Sequence, residues 1–158
     1  MINAELAQLF DELADVLEYR GDNPFKLRAY RKAAQVLRDL KQSVTVLAAQ
    51  GGLRDLPGVG AAIARKIVEY IETGRIERYE EARKAAPDGL LAMLRVPGFT
   101  PRVAARAVKA LGIASVEELA EAARSGRLKD VPGIGPRKEQ EIVRGLQRMT
   151  GKDAAGSR

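Results

Sequence analysis

The chain has 158 residues and a formal net charge of +6, with a sequence pI of about 9.8, a balance that favours a polyanionic partner. It contains neither cysteine nor histidine, which excludes disulfides, thiol nucleophiles, Cys/His zinc sites and imidazole general bases. No apolar run approaches the roughly 18 residues of a membrane span and no signal-peptide pattern opens the chain, so a soluble cytoplasmic protein with one core or two small ones, and no membrane partner, is expected.

Asn3 is placed to cap a first helix in which Leu6, Leu9, Phe10, Leu13, Val16 and Leu17 recur at helical spacing. The same stretch carries Glu5, Asp11, Glu12, Asp15 and Glu18 and no base, so the positive charge belongs to the rest of the chain and this helix is expected to face away from an anion. Gly21 ends it. Asn23 and Pro24 then open a second helix with Leu27, Tyr30, Ala34 and Leu37 inward. Ser43 caps a short third helix, "VTVLAAQ".

Next in the chain is the stretch "LPGVGAAIARKI" at 56–67. Pro57 and Gly58 suit the two central positions of a type II turn, since proline sets φ at the first and glycine accepts positive φ at the second. Val59 points back into a core beside Leu56. Gly60 leaves the next helix start without a side chain, and uncovered amides there, with the helix dipole, suit a phosphate. Ile63, Ile67 and Ile71 form the apolar stripe of that helix, which Gly74 stops. Neither common phosphate loop fits, because Ile63 stands where a dinucleotide fingerprint needs Gly or Ala and no glycine-lysine-serine/threonine triplet occurs.

Residues 75–87 are polar and charged, a short helix and a domain boundary. The turn then recurs as "VPGFT" at 96–100 and "VPGIG" at 131–135, with Pro101 and Pro136 in the first turn of the succeeding helix. Thr100 replaces the last glycine of the middle copy, where its hydroxyl can cap the helix but its side chain crowds the place of a phosphate, so this copy is mainly structural or a weaker site. Ser115 and Glu118 form a capping box before the third copy. The segment 149–158 is expected as a flexible tail. No strand pattern occurs, and the fold class is all-α.

The order apolar, Pro, Gly, apolar, Gly between helices resembles the helix-hairpin-helix motif, a non-sequence-specific DNA-binding unit whose hairpin amides contact backbone phosphates. Residues 88–148 have the length of a tandem of two such units about a pseudo-twofold axis. Taken together, "NPFKLRAYRKAAQVL", "DLPGVGAAIARKIVEYIETG", "LRVPGFTPRVAARAV" and "GRLKDVPGIGPRKEQEI" resemble, over about residues 3–148, the amino-terminal portion of bacterial family X DNA polymerases. The resemblance implies a lyase-like domain with the first hairpin over 1–84 and a tandem helix-hairpin-helix domain, the fingers, over 85–148. The catalytic palm has no counterpart: no Asp-x-Asp pair is present to hold two metal ions, so polymerase activity is not expected of this chain. An independent relative and a part of a longer polymerase both remain open.

The same resemblance implies the site. Lys66 stands where the family's lyase has its nucleophile, while Ala62 stands where a second, phosphate-binding lysine belongs. Lys26 and Tyr30 match the 5′-phosphate pocket. In lyase chemistry a neutral lysine amine attacks the aldehyde of an abasic sugar, forms a Schiff base, and β-elimination releases the phosphate. Phosphate contacts are expected at Gly58, Gly60 and Ala61 and at Gly133, Gly135, Arg137 and Lys138, with Gly98 as the weaker middle site. No cofactor is required, although a monovalent cation, K⁺ or Na⁺, at a hairpin is implied, held by the backbone carbonyls of Leu56 and Val59 or of Val131 and Ile134.

The leading reading is thus a sequence-nonspecific binder of duplex, nicked or gapped DNA in repair, cytoplasmic and nucleoid-associated, with repair proteins as further partners. The alternatives are a 5′-deoxyribose-phosphate lyase of base-excision repair and a protein-interaction adaptor that uses the acidic first helix.

Overall fold

The computed structural model describes residues 1–156, and of residues 150–156 the backbone alone. Every regular element among the described residues is helical. The chain divides into two compact units, Met1–Ala85 and Ala86–Arg158, where the sequence places the boundary after residue 84.

The first unit is built on α1 (Ile2–Tyr19) and α2 (Pro24–Asp39), which lie along each other. Leu6, Phe10, Leu13 and Leu17 of α1 and Leu27, Tyr30 and Leu37 of α2 are all buried, and the Phe10 and Tyr30 rings stack with centroids 5.9 Å apart. Asn23 caps α2 as its sequence requires, its Oδ1 accepting from the Phe25 amide at 2.8 Å. Asn3 behaves differently from a cap. It lies inside α1, donates to the Gln42 carbonyl at 2.8 Å, and accepts from the Val44 amide at 2.8 Å. A carboxamide donates and accepts at once, so this one side chain ties α1 to the loop before α3 (Val44–Ala49). A 3₁₀ turn at Leu53–Asp55 leads to the first hairpin and α4 (Ala61–Thr73), which Gly74 terminates at φ +77°. The charged segment beyond it forms α5 (Glu77–Lys84), held by the buried Ile76 and Ala82.

All five carboxylates of α1 are engaged inside this unit. Arg31 of α2 reaches Asp15 at 2.9 Å and Glu18 at 3.4 Å, and Arg38 reaches Asp11 at 2.6 Å. The Tyr79 hydroxyl donates to Glu12 at 3.0 Å and the Tyr70 hydroxyl to Glu5 at 3.2 Å. Burial pushes the Asp15 carboxyl above its ordinary value against the pull of Arg31. Burial, reinforced by the Glu12 charge, pushes the Tyr79 phenol up to about 12. The acidic first helix therefore fastens the unit, each of its carboxylates having a partner on α2, α4 or α5.

The second unit contains α6 (Leu90–Met93), α7 (Pro101–Leu111), α8 (Val116–Arg124), a 3₁₀ turn at Leu128–Asp130 and α9 (Pro136–Gly156). Leu90, Met93, Phe99, Ala104, Leu119, Leu128 and Ile142 form its core. Ser115 caps α8 by accepting from the Glu118 amide at 3.1 Å, and Glu118 reaches back to the Ala114 amide at 2.6 Å, one residue before the expected partner. The expected tail at 149–158 differs in part: α9 carries helical backbone on to Gly156, no proline interrupting it, and residues 157 and 158 lie outside the described residues.

Asn3→Leu should lower the stability of the first unit by about 1–3 kcal/mol, because it leaves the Val44 amide and the Gln42 carbonyl without their partner. Denaturant unfolding followed by circular dichroism measures this, and a change under a few tenths of a kcal/mol would show that water replaces the carboxamide.

Candidate nucleic-acid interface

Each Pro-Gly stretch folds into the same object. In the first, the Val59 amide donates to the Leu56 carbonyl at 3.1 Å across Pro57 and Gly58, with Gly58 at φ +75°. The second closes from Phe99 to Val96 at 3.0 Å and the third from Ile134 to Val131 at 3.1 Å, with Gly98 and Gly133 at φ +85° and +91°. These are type II turns. Val59, Val96, Phe99, Val131 and Ile134 are all buried, so each turn is hung from the core by the apolar residues beside its Pro-Gly tip.

The helix starts beyond the turns are unequal. Gly60 and Gly135 occupy the cap positions of α4 and α9, and their carbonyls accept from Ala64 and Glu139, each at 2.9 Å. Both glycines are exposed, and a Cβ at either would meet nothing within 4 Å. With no side chain to cap them, the first-turn amides of α4 and α9 stay open to an outside acceptor. At the middle hairpin the Thr100 hydroxyl takes the Val103 amide at 3.3 Å, which satisfies one donor of α7. Ala61 lies in the first turn of α4, and Arg137 and Lys138 in that of α9, with Arg137 exposed.

The first hairpin has a cation that its own sequence does not supply. Lys32 of α2 packs against the tip, its Cγ 2.9 Å from where a Cβ on Gly58 would stand. More than twenty residues separate the two, so no local pattern announces the contact. Phe25 likewise has no sequence signature: it is 73% exposed, with the Arg28 guanidinium 4.6 Å over its ring, a flat face of the kind on which bases stack.

The structure brings Lys66 and Tyr30 together, the ammonium 5.8 Å from the ring centroid, but Tyr30 is buried against Phe10 and serves the core. Lys66 lines a cleft of 380 Å³ with Ala62, Arg65, Arg78 and the carboxylates of Glu69, Glu77 and Glu81, which would repel a sugar phosphate. Lys26 is exposed and pairs with Asp22 at 3.9 Å. The Asp22 carboxyl is held below its ordinary value by the Asn23 amide and, more weakly, by Lys26 and Arg78. Among the described residues no cluster of acidic side chains could hold a metal ion. The Leu56 and Val131 carbonyls each accept one turn hydrogen bond and keep a second lone pair, so the neutral oxygens that would hold a monovalent cation are compatible with one.

Residues 1–76 match the model of a helix-hairpin-helix domain and residues 90–148 that of a SAM-like helix-hairpin-helix tandem. The chain is thus a helix-hairpin-helix protein, built from one such domain followed by a tandem. It is also 32% identical, over 92% of its length, to the DNA polymerase/3′-5′ exonuclease PolX of Bacillus subtilis, and the family X resemblance read from the sequence stands. It covers 25% of that relative. A second relative, the Holliday junction branch migration complex subunit RuvA of Syntrophobacter fumaroxidans, is 29% identical over 56% of this chain and 45% of its own.

The two kinds of hairpin glycine should separate on mutation. Gly58→Ala and Gly133→Ala force a Cβ into positive φ and should each cost about 1–2 kcal/mol. Gly60→Ala and Gly135→Ala, into open space at ordinary φ, should cost less, under about 1 kcal/mol, since alanine is only the poorer cap. Thermal unfolding of the four variants tests the contrast, and equal losses would contradict it.

Proposed function

We propose that this chain binds DNA through its sugar-phosphate backbone without reading base sequence, and that nicked or gapped duplex in repair is its working substrate. The observation that carries this reading is the pair of bare helix starts at Gly60 and Gly135, on segments matched by helix-hairpin-helix models. Amides at a helix start hydrogen-bond phosphate oxygens at any sequence, and a missing Cβ allows the oxygen to approach. Lys32 beside the first tip, and Arg137 and Lys138 at the third, add counter-charge. A K⁺ or Na⁺ held by the Leu56 and Val59 or the Val131 and Ile134 carbonyls would add one more positive charge at the phosphate. The relatives support DNA as partner, since both are named for work on it. A DNA-bound protein of this kind belongs at the nucleoid.

Lys66 serves in this reading as a half-buried cation over Tyr30. The acidic wall of its cleft and the absence of a second cation at Ala62 disfavour an anionic sugar beside it. Borohydride treatment with DNA bearing an incised abasic site should accordingly trap no more adduct than the Lys66→Ala variant does. A strong adduct lost in that variant would establish the lyase instead.

A titration against intact, nicked and gapped duplexes at several salt concentrations tests the main reading. If about four to six phosphates are neutralised, log K should fall with log salt with a slope of roughly −4 to −5. Gly60→Val and Gly135→Val should weaken binding about tenfold or more with helical content unchanged, as each blocks one phosphate. A flat salt response, or strong preference for one base sequence, would overturn the proposal.

A further inference from the structure

In the tandem, Gly98 and Gly133 hold equivalent positions, and so do Arg106 and Glu141, each eight residues beyond its hairpin glycine. The structure crosses these pairs. Arg106 of α7 lies over the third hairpin, its guanidinium Nη1 occupying the place of a Cβ on Gly133. Glu141 of α9 lies over the second, its carboxylate carbon 3.0 Å from the place of a Cβ on Gly98. The crossing reflects packing: Gly145, one turn beyond Glu141, has no side chain, and Pro97 of the second hairpin fills that space, 2.5 Å from where its Cβ would be. The hairpin that leans on α9 therefore carries the charge α9 presents. Equivalent positions thus deliver opposite charges, a cation to the third hairpin and an anion to the second. Both side chains are exposed, where a ligand can meet them.

We infer that Arg106 and Glu141 are the determinants that make the tandem one-sided: the third hairpin holds a DNA phosphate with Arg106 as an added contact, and Glu141 keeps the second hairpin from holding one. This rests on the backbone-binding function proposed above and adds its polarity. A carboxylate at a hairpin tip repels phosphate through the same short-range Coulomb interaction that makes a guanidinium there attractive. The Thr100 side chain is then a secondary obstacle, so removing it alone changes little while Glu141 remains.

The full chain, titrated with a nicked duplex over a salt series, separates the possibilities. Arg106→Gln should weaken binding about three- to tenfold and make the salt slope shallower by about 0.9, the loss of one phosphate contact. Glu141→Gln should tighten binding about two- to fivefold, and Glu141→Arg should tighten it further with a slope steeper by about 0.9. Thr100→Gly alone should leave affinity unchanged and combined with Glu141→Gln should exceed the latter. Helical content is read for each variant, and Arg106→Lys, which keeps the charge, should restore most of the affinity lost in Arg106→Gln. Wild-type binding with no gain from either Glu141 variant, or with gain from Thr100→Gly alone, would overturn this inference and leave backbone binding standing. A wild-type chain that does not bind the duplex would overturn both.

Discussion

The short backbone bond that closes each Pro-Gly turn, from the residue after the glycine to the residue before the proline, sets the direction in which the next helix leaves the core. It forms only because the glycine accepts positive φ, and it lasts because the apolar residues beside the tip are buried. Sequestering those side chains turns the polar tip outward and brings the helix start with it. One local constraint, repeated along the chain, thereby generates the surfaces assigned to DNA and leaves the cap residue, Gly60, Thr100 or Gly135, to decide how much of each helix start is exposed.

Electrostatics then distributes roles among surfaces that the backbone makes nearly alike. In the first unit Arg31, Arg38, Tyr70 and Tyr79 engage the carboxylates of α1, so part of the chain's positive charge is spent on its own acidic helix. These exchanges at half-exposed positions contribute modestly to stability, but they settle which charges remain for a ligand. Lys32, two residues before the buried Ala34 and on the side of α2 away from that network, reaches the first hairpin. In the proposed binding, the cations on offer are those that α1 leaves unengaged.

The same logic bears on the surroundings of Lys66. Its neighbourhood combines an aromatic face, two guanidinium groups and three carboxylates, which holds a lysine in place but does not concentrate positive charge around an anionic substrate. In the function proposed above, binding is spread over many weak backbone contacts, the arrangement that tolerates any DNA sequence.

Residue order alone was enough for most of the helices, the Asn23, Ser43, Thr100 and Ser115 caps, the Pro-Gly turns and the bare starts at Gly60 and Gly135. All of these depend on bonds or sterics spanning four residues or fewer, so residue type and spacing suffice. What Asn3 binds, where the α1 carboxylates go, and which side chains lie over Gly58, Gly98 and Gly133 became visible with the fold. Asn3 has the composition of a cap, yet its partners are about forty residues away, and a capping rule knows nothing of the loop that happens to pass. Arg106 and Glu141 look from the sequence like ordinary exposed charges on two helices. Their significance arises because each helix folds against the other's hairpin, and packing between elements distant in the chain is set by the whole core and not by any stretch within it.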